Sequence, residues 1–270
     1  MASLVEVKGP GERTMIEGPS RKRRGAAQPD YARDLEQDLK KKIDGEVRFD
    51  KGARALYSTD GSNYRQAPIG VVIPRHADDI VETVKLCNQY GAPVLARGGG
   101  TSLSGNCCNV AVVIDHSKYM RRILELDPHN RRARVQPGVV TDDLRFQAED
   151  YHLTWAPDPA THSHNTFGGM IGNNSCGIHA LMGGKTEENT EELDIITYDG
   201  LRMRVGRTSD AELDRIIREG GRRGEIYSGM KRIRDKYADL IRAHTRTSRA
   251  AYRATTCRNC CPSTASTSPS

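Results

Sequence analysis

The sequence predicts an α+β fold, and three observations lead there. Short apolar runs alternate with amphipathic stretches but keep no regular βαβ rhythm. The pair Asp199–Gly200 lies between two apolar runs, as in a β-hairpin. The 270 residues hold a single Trp, so the core has to be mainly aliphatic.

The elements follow in chain order. From Tyr31, Leu35, Leu39 and Ile43 recur at spacing four and predict a helix. Short strands are expected at Val47–Phe49 and Ile69–Ile73. "HADDIVETVKLCNQYG" predicts a second helix. Asp78 and Asp79 suit its N-terminus, Ile80, Val81, Val84 and Cys87 would form one face, and Gly91 can end it. A strand at 93–96 leads into "ARGGGTSLSG", and another strand is expected at 111–115. "RRARVQPGVV" gives a strand and a turn at Pro137–Gly138. Thr141 is placed to cap a helix carrying Leu144 and Ala148. After the Asp199–Gly200 hairpin, Ser209 and Glu212 form a capping box before "LDRIIREG". The last helix is expected from about Ile226 to Ile241. No internal repeat is present.

The net charge is +6, but it sits in the ends. Residues 1–24 carry +3 and residues 244–270 carry +4, which leaves −1 for the body. The body therefore lacks the basic footprint of a nucleic-acid binder. "RKRR" at Arg21–Arg24 reads as a solvated tail or a contact for an anionic partner. No stretch approaches the ~20 apolar residues that span a bilayer. The N-terminus shows no apolar leader core, so a cytoplasmic chain is expected. Residues 1–30, rich in Gly, Pro and basic side chains, and residues 244–270, with eleven Ser or Thr and no large aliphatic residue, are expected to be disordered. Of the seven Cys, only Cys257, Cys260 and Cys261 approach a metal spacing, and no second pair lies nearby, so no metal site is expected.

Two glycine-rich segments carry the functional signal. "MGGKTEEN" lacks the first glycine and the preceding strand of a P-loop. Gly98, Gly100 and Gly105 are followed by a strand rather than a long helix, which excludes a Rossmann turn. Successive N–H groups in the turn, with hydroxyls of Thr101, Ser102 and Ser104, can form an anion-binding concavity, or simply a tight turn between strands. The second segment, Pro157–Asn189, is dense in Gly, Asn and Ser. It reads as the other grip on a long polar ligand or as a long surface loop.

"PVLARGGGTSLSG", "VQPGVV" and "PDPATHSHNTFGGMIGNNSCGIHALMGGKTEENTEELDIITYDG" resemble, in order, the PCMH-type (vanillyl-alcohol oxidase-like) FAD-binding domain. The similarity is greatest to the D-lactate, glycolate and D-2-hydroxyglutarate dehydrogenase branch, including bacterial forms joined to an iron–sulfur segment. The resemblance covers about residues 45–243. It implies one domain over 31–243, in two subdomains of about 45–118 and 119–243, with FAD between them.

The resemblance also implies roles. The FAD diphosphate would lie on Arg97, Gly98, Gly99, Gly100, Thr101, Ser102 and Ser104. Pro137, Gly138 and Val139 would border the flavin. Pro159, Thr166, Gly168, Gly169, Gly172, Asn173, Ser175 and Gly177 would surround ring and ribityl chain, with Ile195 and Ile196 beside the adenine. Thr101 stands where some members tether FAD through a His, which implies non-covalent FAD. A substrate role for His162, His164 or His179, or an ordinary solvent-facing or hydrogen-bonded one, fits the second loop. The expected chemistry is hydride transfer from a small 2-hydroxy acid to FAD, with an iron–sulfur electron acceptor in cis or in trans. The family chain runs on into the rest of the FAD domain and a substrate-binding cap. His244–Ser270 does not match that continuation. The expectation is a chain lacking both parts, with no assignable catalytic residue. A catalytically inactive flavin-binding fragment is the alternative.

Overall fold

The computed structural model describes residues 28–244; the expectations for both tails otherwise lie outside the described residues. Helix α1 (Ala32–Lys42) forms where the spacing-four pattern predicts it, with Leu35 and Leu39 fully buried. Strand β1 (Glu46–Arg48) and the short helix α2 (Lys51–Leu56) follow. Strand β2 (Gly70–Ile73), helix α3 (Ala77–Gln89), strand β3 (Val94–Arg97) and strand β4 (Val112–Asp115) complete a four-stranded sheet of order β1-β2-β4-β3. β1 pairs antiparallel to β2; β2, β4 and β3 are parallel.

Both faces of this sheet are covered, which explains the unbroken aliphatic runs of β2 and β4. Val72 and Val112 pack with α1 and α3 through Leu35, Leu39, Leu86 and Cys87. Burial pushes the Cys87 thiol up to about 12. Val71, Ile73 and Val113 face Tyr57, Leu95 and Tyr119 on the other side. Gln28 anchors the start of the described chain by donating to the carbonyls of Phe49 and Ile69.

Helix α3 is rotated from the expected face. Asp79 and Thr83 are buried, whereas Ile80 and Val81 are only half-buried. Hydrogen bonds make the polar burial tolerable. Asp79 accepts from the Asp44 and Arg75 N–H groups, and Thr83 donates to the Asp79 carbonyl.

Beyond β4 the chain builds smaller units. β5 (Ile123–Asp127), which sequence reasoning did not find, pairs with β6 (Arg132–Val135). Helix α4 (Thr141–Glu149) starts at Thr141, but the Thr141 hydroxyl is no cap: it donates to Asn165 Oδ1 at 2.5 Å. The stretch 157–189, for which a ligand grip or a long surface loop is expected, contains α5 (Phe167–Asn173), α6 (Ala180–Gly183) and a 3₁₀ turn at Glu187–Asn189. Val139, Leu144, Phe167 and Met170 form a compact cluster with Ile123, Leu126, Val135 and Trp155 around it.

β7 (Glu192–Ile196) and β8 (Arg202–Gly206) form the expected hairpin, with Gly200 at φ +82° in its turn. The Tyr198 hydroxyl in that turn donates to the Ala92 carbonyl at 2.8 Å and Asn88 of α3 donates back to the Tyr198 carbonyl. α7 (Asp210–Glu219) begins with Ser209 accepting from the Glu212 N–H, as the capping signal predicts. α8 (Gly221–His244) is longer than expected at both ends.

Candidate functional site

The C-terminal ends of the parallel strands β3 and β4 open into a cleft of about 250 Å³ lined by Tyr57, Arg97, Gly98, Gly99, Asp115 and Ser117, with Leu56 at its edge. Open sheets bind ligands at such strand ends. Arg97 and Asp115 are register partners. Tyr57 donates to Asp115 Oδ2 at 2.5 Å, and burial, with that carboxylate, pushes its phenol upward, so it stays a donor. The Arg97 guanidinium lies over the Tyr57 ring and donates to the Cys107 carbonyl at 3.3 Å. Arg97 therefore braces the glycine loop from inside. Burial pushes the pKa of His116, next in the chain, below the ordinary imidazole value.

The two glycine-rich segments abut. A Cβ on Gly98 would lie 2.1 Å from Thr166 Oγ1, and one on Gly99 would lie 2.1 Å from the His164 carbonyl oxygen. Asn106 donates to Asn173 Oδ1 at 2.9 Å across the same seam. This revises the reason for the glycines. The space that a side chain would need at Gly98 and Gly99 is filled by the second segment itself. Gly100 adopts φ +68°, a conformation glycine favours. Ser102 uses its hydroxyl inside the loop, accepting from the Ser104 and Asn106 N–H groups.

The turn Pro137–Gly138–Val139 completes the seam. The Pro137 carbonyl accepts from Gly168 and that of Val139 from Phe167, while Val140 bridges to Thr166. Gly138 N–H donates to the Met120 carbonyl. Asn173 donates to the Gly169 carbonyl, and a Cβ on Gly169 would come no nearer than 3.5 Å to its closest neighbour, Thr166 Oγ1. Nothing crowds Gly172. Ser175 takes two hydrogen bonds from Thr186 at its carbonyl. Gly177 packs on the Asp158 carbonyl, beside Pro159, with no room for a Cβ. Ile195 and Ile196 lie opposite Met203 and Arg202 in the hairpin.

Two polar atoms here are buried without a partner: Thr166 Oγ1 and Asn174 Nδ2. Thr166 is 1% exposed and sits at the N-terminus of α5 without capping it. An orphaned hydroxyl costs about 1–3 kcal/mol, so a partner from outside the chain suits it. The loop N–H groups, the glycine seam and this hydroxyl fit a long polar ligand such as FAD. Of the loop histidines, His162 Nδ1 contacts Asp142 at 2.7 Å and His179 Nδ1 contacts Asp158 at 3.0 Å, with Arg145 joining the two carboxylates.

Sequence reasoning missed the Asp60–Gly61 clamp. Asp60 accepts from Ser62 N–H and hydroxyl and, across the fold, from Cys107 N–H at 3.1 Å; Gly61 N–H donates to the Gly100 carbonyl at 2.9 Å. Burial opposes ionisation of Asp60, and the hydrogen bonds outweigh it, so its pKa is lowered. The turn-forming "TDGS" was the available signal. Asp44, His76 and Asp79 also come together, but both Asp79 oxygens are taken by main-chain N–H groups at the start of α3, an arrangement that serves the fold.

The chain is 32% identical over 200 residues to a D-2-hydroxyglutarate dehydrogenase of Pseudomonas putida, covering 73% of this chain and 20% of that protein. It is 34% identical over 168 residues to the glycolate oxidase subunit GlcD of Bacillus subtilis, covering 61% and 36%. The chain thus spans about a fifth to a third of these relatives. In fold it matches an alkyldihydroxyacetonephosphate synthase structure at a TM-score of 0.59 and 22% identity, over 68% of this chain and 37% of that one. No described helix is long and apolar enough to cross a membrane. The FAD binding domain family matches residues 68–206, the span holding both glycine segments and the turn between them, and the chain belongs to that PCMH-type family.

Proposed function

We propose that the chain is a cytoplasmic FAD-binding oxidoreductase module that serves oxidation of a small 2-hydroxy acid. The observation that carries this reading is the meeting of the two glycine segments at Thr166, whose buried hydroxyl has no partner within the described chain. The N–H groups of Gly98–Ser102 hold the diphosphate, on a loop braced by Arg97 and Asp60. Pro137–Val139 and the segment from Pro159 to Gly177 border the ring and ribityl chain, and Ile195 and Ile196 the adenine. The binding surface is shared by two subdomains of about 45–118 and 119–243. FAD is held without a covalent bond, Thr101 offering no imidazole for a tether. When bound, FAD would supply the hydride acceptor for the substrate α-carbon, and an iron–sulfur centre in cis or in trans would be its electron acceptor.

A second reading is a flavin-binding chain without turnover. Purified chain is expected to show a flavin spectrum, with all colour released to the supernatant on acid precipitation. Colour in the pellet overturns non-covalent binding, and a colourless chain that takes up no added FAD overturns both readings. Reduction of an artificial acceptor with D-2-hydroxyglutarate, glycolate or D-lactate separates the first reading from the second.

A further inference from the structure

Cys107 and Cys108 close the glycine loop, and the function proposed above makes no use of their thiols. We infer that the two form a dithiol site for a thiophilic electrophile of the trivalent-arsenical class, and that filling it loosens the loop. The effect on FAD rests on the proposed function; the site itself does not.

Both thiols are free and half-buried. They share their charged neighbours, Asp60 and Arg97, and Cys108 interacts with both Cys107 and the Asp60 carboxylate. The peptide joining them is trans, so their Cα atoms lie about 3.8 Å apart. An ordinary disulfide wants at least about 4.4 Å. A direct S–S bond is therefore strained here, whereas one atom inserted between the sulfurs lengthens the bridge.

The condensation needs no oxidant. One As=O group reacts with two S–H groups, two As–S bonds form, and the oxygen leaves with both protons as water. Burial raises the pKa of each thiol, which leaves little thiolate at neutral pH and slows capture of either one alone. The second As–S bond is intramolecular, and its effective concentration offsets that handicap.

The coupling runs through one peptide. Cys107 N–H donates to Asp60, and its carbonyl, which belongs to the Cys107–Cys108 peptide, accepts from Arg97. Asp60 is joined to Gly61, which holds the Gly100 carbonyl. Drawing both sulfurs onto one atom tilts that peptide and loads both arms of the loop.

The probe is phenylarsine oxide, applied to the full chain with Cys257, Cys260 and Cys261 changed to Ser. Tryptic mapping is expected to place one arsenic on the peptide of residues 98–118, removable by a dithiol and not by a monothiol. Cys107→Ser and Cys108→Ser should each abolish the dithiol-specific adduct. Amide exchange over residues 97–108 should accelerate on modification with or without FAD, and bound flavin should leave about five- to tenfold faster, the worth of roughly one net hydrogen bond. A stable adduct in either single variant, no adduct in the parent, or unchanged exchange under full modification overturns the inference. Adduct and faster exchange in a chain that binds no flavin count for the dithiol site and against the proposed function.

Discussion

The two parts of the molecule, residues 28–115 and 116–206, are held together differently. The first closes on itself: a four-stranded sheet, covered on both faces, with Leu35, Leu39, Val71, Val72, Val112 and Val113 essentially removed from solvent. Among the described residues it has no buried side-chain polar atom without a partner, whereas 116–206 has four, on Arg145, Trp155, Thr166 and Asn174. The second part also consists of two separate ribbons and a small cluster. A self-sufficient core needs nothing further. A region with unpaired buried groups beside a glycine seam is what the proposed FAD site calls for.

That contrast can be broken or sharpened by measurement. The largest effect is expected for Leu39→Ala, which empties a fully buried site between α1 and the sheet. It should cost about 3 kcal/mol of stability, equally with and without FAD, read from urea midpoints. Dependence on FAD would mean that the first part is not self-sufficient. Gly99→Val comes next. Its side chain must displace the His164 carbonyl, so flavin retention should fall by more than about tenfold, while Lys185→Ala, which would matter only under a P-loop reading, stays near the parent. Equal losses would count against the seam as the binding surface.

Thr166→Val is smaller and more diagnostic because its two effects have opposite sign. Removing an orphaned hydroxyl should raise the stability of the FAD-free chain by about 1 kcal/mol, while titration should show weaker FAD binding. A loss in both would assign Thr166 to packing alone. The smallest effect concerns the link between the parts. Glu46 on β1 accepts hydrogen bonds from Lys118 and Tyr119, and these hold its carboxyl at about 2 against an ordinary 4.5. A folded pKa below the unfolded one stabilises above the unfolded value and is lost as pH falls through the folded one. Melting scans should therefore show this contribution intact at pH 5 and fading between pH 4.5 and 2, with Glu46→Gln flattening that slope. An unchanged slope would place the acid sensitivity elsewhere.

How much could be read from residues alone follows the same division. α1 and the buried strands announced themselves because periodicity is strong where one side faces a large core. The Asp199–Gly200 hairpin and the Ser209 cap rested on local chemistry and held. β5 escaped because "ILELD" is half-exposed and carries two acids. α5 escaped because "FGGMIGN" holds three glycines, poor helix formers used here to let the seam close. The α3 face was misjudged because Asp79 and Thr83 bury polar atoms through hydrogen bonds that no hydropathy pattern records. At the site, glycine density located both segments. Which atoms the glycines accommodate, and the reach of Asp60 across 47 positions to Cys107, emerged only in three dimensions.

The strand order has a consequence for synthesis of the chain. β2 and β3 never touch; both pair with β4, which is made last and lies between them. A ribosome that has released residues only as far as Gly105 has supplied β1, β2 and β3 with nothing to join β3 to the other two. The glycine loop must then swing back over the end of β3 before Val112–Asp115 can insert. Completion of the sheet thus waits on the same glycine residues that meet the second segment at the seam. Nascent chains halted before Val112 should remain open to protease, and those halted once residue 115 has cleared the exit tunnel should gain protection in a single step.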